Sequence, residues 1–277
     1  MKNDTPQARQ NLVAVAMVFV LAGATGLAWM TTGKPKAHVY TGADMLAKLA
    51  SQKIDKYWSS EESTRCMIGL AGKPDKAVGW EITSIQSDAG GEFSGLESGG
   101  SKDSLHAVRW TLSPDLSQGT YSAIVYGKNG NEISQTETTL TEDRVNIVRR
   151  VQQVELTGSS PRPKNYVPEG ALPLVLGIVA ETGNEITVKM VFDEIAIVGG
   201  SIRFVDVELS PLRSGAVRVR PLGRQVRNLI DYYIDSENRI SRYEYPGTTL
   251  FYRLCKKETI AELFGTDGEA PAMKAKP

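Results

Sequence analysis

Histidine and cysteine are almost missing from this chain, with two of each in 277 residues. His38 and His106 stand at neither helical nor hairpin spacing from a cysteine or a carboxylate pair, so the sequence offers no zinc ligand set. It also lacks a Gly-x-Ser-x-Gly elbow, a glycine-rich phosphate loop leading into Lys-Ser/Thr, and His-Glu-x-x-His. No catalytic residue, cofactor or metal is assigned from these patterns, and a non-catalytic protein is expected. An excess of charge of one sign is missing too. The 32 basic and 32 acidic side chains cancel, which removes the electrostatic footprint of a nucleic-acid binder.

What the chain does have is one long uncharged run. A short tail, residues 1–10, carries Lys2 and Arg9; residues 11–30 then contain no charge, and Trp29 falls where an interfacial aromatic belongs. Two readings follow. The segment is an uncleaved single-pass anchor in the inner membrane, or Leu12–Ala22 is a signal-peptide core with Ala22-Gly-Ala24 as its cleavage site. Both place the remainder outside the cytoplasm, in the periplasm of an envelope. Residues 31–61 read as a linker and an amphipathic helix from about Gly42 to Trp58, opened by the Thr41/Asp44 cap pattern.

From residue 62 to 256 the pattern alternates, as half-buried strands require. Expected strands are Cys66–Leu70, Ala77–Ile85, Leu105–Leu112, Gly119–Tyr126, Glu132–Leu140 and Val145–Leu156, with Asn129-Gly130 as a type I′ hairpin turn. Residues 87–103, rich in glycine, read as an exposed loop around one short strand at Glu92–Ser94, and Ser159–Lys164 as a stiff connection. Residues 168–181 form an apolar island read as a buried central helix, with Pro173 in its first turn and Gly183 at its stop. Strands resume at Ile186–Ile197, Ile202–Leu209, Ala216–Pro221, Val226–Ile234, Arg239–Tyr245 and Thr248–Leu254; residues 257–277 read as a short helix and a disordered tail. The expected fold is mainly β: a curved antiparallel sheet or incomplete barrel around the central helix.

The run Tyr232-Tyr-Ile-Asp-Ser-Glu-Asn-Arg-Ile-Ser-Arg-Tyr-Glu-Tyr-Pro-Gly247 resembles the closing hairpin of secreted bacterial proteins built as an unclosed β-barrel. Gly79-Trp80 likewise resembles their opening strand. Periplasmic lipoprotein carriers and several families of unknown function share that fold, and the resemblance implies a curved sheet around helical plug segments over residues 62–255. The glycine usual in the hairpin turn is replaced by Asn238, and no ligand-binding residue carries over.

The candidate residues are few. Leu172, Leu176, Val179, Tyr233, Tyr243 and Phe251 are candidates to line an apolar-ligand pocket, against the alternative that they pack the core. Arg218 and Arg220 are candidates for an anion site, against solvated arginines balanced by Asp206, Glu208 and Asp231. Cys66 and Cys255 are a candidate disulfide. Asp193-Glu194 reads as a solvated strand-end pair. The expected function is binding of a lipid or other apolar envelope component; the alternative is a structural or assembly protein of the envelope, making contacts with protein partners.

Overall fold

The computed structural model describes residues 63–68, 77–87, 91–101, 103–192, 197–223, 229–236, 240–248 and 250–266, with 63–68 and Leu174 described by backbone alone. The anchor, the amphipathic helix, His38, Asp193-Glu194 and the tail from 267 lie outside the described residues. Among those described, no helix is long and apolar enough to cross a membrane.

Sixteen strands follow in chain order: β1 (Ser63–Ile68), β2 (Ala77–Ser87), β3 (Phe93–Gly100), β4 (Ser104–Leu112), β5 (Gly119–Gly127), β6 (Glu132–Leu140), β7 (Arg144–Val151), β8 (Val154–Pro161), β9 (Ile186–Met190), β10 (Ile197–Val198), β11 (Ser201–Ile202), β12 (Val205–Pro211), β13 (Ala216–Leu222), β14 (Ile230–Ile234), β15 (Ile240–Glu244) and β16 (Phe251–Leu254). Among the described residues two short helices join them, α1 (Leu172–Thr182), entered through a 3-10 turn at Glu169–Ala171, and α2 (Lys257–Phe264).

Fourteen strands form one antiparallel sheet in the order β8-β7-β6-β5-β4-β3-β2-β1-β16-β15-β14-β13-β12-β9. The first and last described strands are therefore neighbours in the middle, with Cys66 opposite Arg253. The sheet's two edges are β8 and β9, the strands that flank α1, so the sheet is not closed into a barrel. Chain segments cover both edges. Tyr166 bridges Lys189 of β9 in parallel, Val167 N donates to Lys189 O, and Lys189 N donates to Asn165 O. On the other side Ser159 N donates to Gly200 O and Ile202 N donates to the buried Ser160 Oγ, which seats the β10–β11 hairpin against β8. Strand edges left bare invite pairing with other chains, and covering them removes part of that hazard.

Helix α1 lies where its composition demands. Val175, Leu176, Ile178 and Val179 are buried and share one core with Ile85, Phe93, Trp110, Leu112, Ile147, Val188, Val207, Val217 and Val219 from both halves of the sheet. Pro173 sits in the first turn and Gly183 stops the helix at φ 65°, as expected. Strand β13 shows why the sheet has two faces: Val217 and Val219 are buried in this core while Arg218 and Arg220 point the other way. A second small cluster on the outer face sets Ile260 and Phe264 of α2 against Trp80, Ile82 and Cys255.

Four expectations need correction. The Asn129-Gly130 hairpin forms, but its turn is not type I′: only Gly130 has positive φ (73°), Gly130 N donates to Gly127 O, and the register shifts between Val125 and Tyr126. This is the longer connection with a bulge that a single left-handed residue permits. Residues 145–156 are two strands, because Gln152 takes φ 55° and turns the chain without glycine, proline or asparagine. Consequently Ser159–Pro161 belongs to β8 and the stiff connection starts later. Residues 93–100 form a full strand, for a reason that lies in the site below.

Candidate functional site: the concave face of the sheet

Strand β3 is rich in glycine because its neighbours occupy the space of its side chains. Gly95 is the register partner of Trp110, and a Cβ on Gly95 would fall 2.1 Å from the indole. Gly99 is the register partner of His106, where a Cβ would fall 2.3 Å from the imidazole. A Cβ on Gly170, in the turn that leads into α1, would fall 2.5 Å from the same indole. Trp110 is thus clasped between the sheet and the plug, while between Gly95 and Glu97's other neighbour, Gly99, the only inward side chain on this part of β3 is a carboxylate.

These residues border a cavity of about 280 Å³ on the inner face of β2–β5, roofed by Glu169, Gly170 and Pro173 at the start of α1. Its apolar lining is Ile85, Val108, Trp110, Ala123 and Val125 with Pro173. Three polar pairs surround it: His106 Nε2 lies 3.1 Å from Glu97 Oε1, Tyr121 Oη donates to Glu169 Oε2 at 3.1 Å, and Thr83 Oγ1 donates to Glu81 Oε1 at 3.2 Å. Glu81 also accepts from Tyr243 Oη at 2.6 Å.

Three carboxylates act on the histidine of the cavity. Burial alone would lower the His106 pKa, but the hydrogen bond and charge of Glu97, with Glu81 and Glu169 behind it, outweigh burial and raise it above its ordinary value. Burial pushes the Tyr232 phenol up, and Glu81, Glu169 and Glu97 add to that. Tyr232 stands in a cross-strand row with Tyr243 and Tyr252, ring centroids 5.3 Å and 4.5 Å apart in turn, which continues the inner face on the far side of β1.

The sequence-derived candidates fall in several places. Leu176 and Val179 are fully buried core residues, and Leu172 packs partly buried against the same core. Tyr243 is on the inner face and bonded to Glu81. Tyr233 and Phe251 point outward, where the Arg242 guanidinium lies 5.2 Å and 4.8 Å from their ring centroids. The alternation of β14 and β16 dictates this, since their neighbours Tyr232 and Tyr252 take the inner face. None of the six is among the residues lining the cavity. Arg218 makes a bidentate pair with Asp231 (2.7 Å and 2.7 Å), and Arg220 Nη2 binds Glu208 at 2.6 Å, so both guanidinium groups are occupied on the outer face. Asp206 pairs with Lys189 at 2.7 Å. Cys255 is disulfide-bonded, and Cys66 is the other cysteine of the chain.

No family model matches the sequence, and no curated protein matches it. Among solved structures, the chain is similar to the crystal structure of a beta-barrel-like protein of a domain of unknown function, DUF1849, from Brucella abortus. Identity is 8%, the match covers 70% of this chain and 95% of that one, and the TM-score is 0.49. At that level the likeness is a weak one of fold.

Sequence reasoning passed over Trp110, Glu97 and Glu169, and weighed His106 only as a metal ligand. The signal was present in Gly95-Leu-Glu-Ser-Gly99: two glycines at inward positions around one acid mark a strand against which large side chains lie flat.

Proposed function

We propose that this chain is a membrane-anchored, extracytoplasmic, non-catalytic binding protein that holds a lipid or other apolar envelope component between its sheet and α1. The observation that supports the reading is the cavity itself: a concave site with an apolar floor, a few convergent polar groups and a fold that supplies one rigid wall and one helical roof. Anchoring rests on the uncharged run 11–30. Native mass spectrometry of the full-length protein from a membrane fraction tests it. A co-purified apolar molecule is expected, lost in Ala123→Trp, which would fill the cavity. A protein that carries no such molecule, and takes none up from membrane lipid extract, overturns the reading.

The assembly reading has one observation in its favour. Val154 is 58% exposed and Leu156 and Ile133 are each 44% exposed near the β7–β8 turn. Crosslinking from Leu156 in whole cells tests it, with a discrete protein adduct as the outcome in its favour.

A further inference from the structure

We infer that the ligand of this cavity is a cationic amphiphile, an aliphatic chain ending in an ammonium group, and this rests on the binding reading above. The apolar part is served by Ile85, Val108, Trp110, Ala123 and Val125. The polar part must meet Glu97 on one wall and Glu169 on the roof, both lining residues, with Glu81 close behind Thr83. These are acceptors. A carboxylate or phosphate head group brought among them would meet like charge in a partly desolvated site, whereas an ammonium would add charge-assisted hydrogen bonds. His106 is already bound to Glu97, whose hydrogen bond and charge, with Glu81 and Glu169, favour its protonation.

The test is calorimetric titration of the full-length protein with hexylamine, hexanol and hexanoate, three molecules with one tail and different heads. Hexylamine is expected to bind about tenfold more tightly than hexanol, the scale of one charge-assisted hydrogen bond, and hexanoate not at all. Glu97→Gln and Glu169→Gln keep their hydrogen bonds to His106 and Tyr121 in near-isosteric form. Each is expected to remove most of the preference for the amine over hexanol. Competition by phosphatidylethanolamine vesicles would assign the ammonium to a lipid head group, and its absence would assign it to a free amine; either supports the inference. Hexanol or hexanoate binding as tightly as hexylamine overturns it and leaves the apolar-ligand reading standing. Failure of all three to bind overturns both.

Discussion

Gly95 and Trp110 face each other across the β3–β4 pair at a distance that no larger residue tolerates: the Cβ of alanine would stand 2.1 Å from the indole. Gly170 presses the same ring from the side of the plug, so Trp110 is held from two sides. Gly95→Ala is therefore expected to destabilise the domain by roughly 1–3 kcal/mol through overpacking, with a changed Trp110 emission. Urea denaturation read by tryptophan fluorescence checks it, and an unchanged midpoint would show that the ring is not clasped.

The plug is tested at Leu176, which is fully buried and central to the core that joins both halves of the sheet. Leu176→Asp places a carboxylate with no partner in that core. The expected cost is above about 4 kcal/mol, enough to unfold a domain of ordinary stability. Circular dichroism at increasing temperature decides it: a variant melting like the parent would mean that α1 is not held inside the sheet.

Architecture was more legible than the site, and the difference has a physical origin. Strands such as β13, with Val217 and Val219 set against Arg218 and Arg220, announce themselves because one face is apolar and the other charged. The helix from Leu172 to Thr182 is equally plain, since Pro173 and Gly183 punctuate a run of apolar residues. The site is different because it is made of inward residues that break the alternation. Gly95, Glu97 and Gly99 face inward, where an apolar residue is the usual choice, so the strand reads as a loop. Their meaning depends on Trp110 and His106, partners fixed by register and not by proximity in sequence. The turn at Gln152 was missed for a similar reason, since its left-handed backbone is carried by a residue with no preference for it. Tyr233 and Phe251 show the limit of composition: an aromatic strand has two faces, and only register decides which tyrosine is inside.

His106 makes the domain's stability depend on pH. Its folded pKa is raised above the ordinary value near 6.5, so the folded state binds the proton more tightly than the unfolded state. The resulting stabilisation is fully present below about pH 6.5 and is lost as pH rises through the raised folded value. Because 38% of the side chain remains accessible from the cavity, solvent screens the pair and the effect is small. Imidazole NMR is the direct measurement, with a midpoint above 6.5 expected for the parent and a lower one for Glu97→Gln. A midpoint at or below the ordinary value would show that Glu97 does not engage the ring.

The last prediction concerns Cys66 and Cys255. Strands β1 and β16 are paired in register, Arg65 opposite Leu254 and Cys66 opposite Arg253, which brings the beginning and the end of the β region side by side. Cys255 is disulfide-bonded, and the sequence contains one other cysteine. A non-reduced digest of the full-length protein is therefore expected to contain a linked Cys66–Cys255 peptide. Closing a loop of about 190 residues stabilises a fold by roughly 4–5 kcal/mol in the chain-entropy description, a large share of ordinary domain stability. Reduction, or replacement of both cysteines by serine, should lower the urea midpoint accordingly. The fold itself should persist, because the β1–β2 and β1–β16 ladders and the packing of Ile260 on Trp80 do not depend on the bond. The same digest reports on compartment, since such a bridge survives outside the cytoplasm and is reduced within it. Two freely alkylated cysteines in protein recovered from the envelope would remove the bridge and leave the pairing of β1 with β16 resting on backbone hydrogen bonds alone.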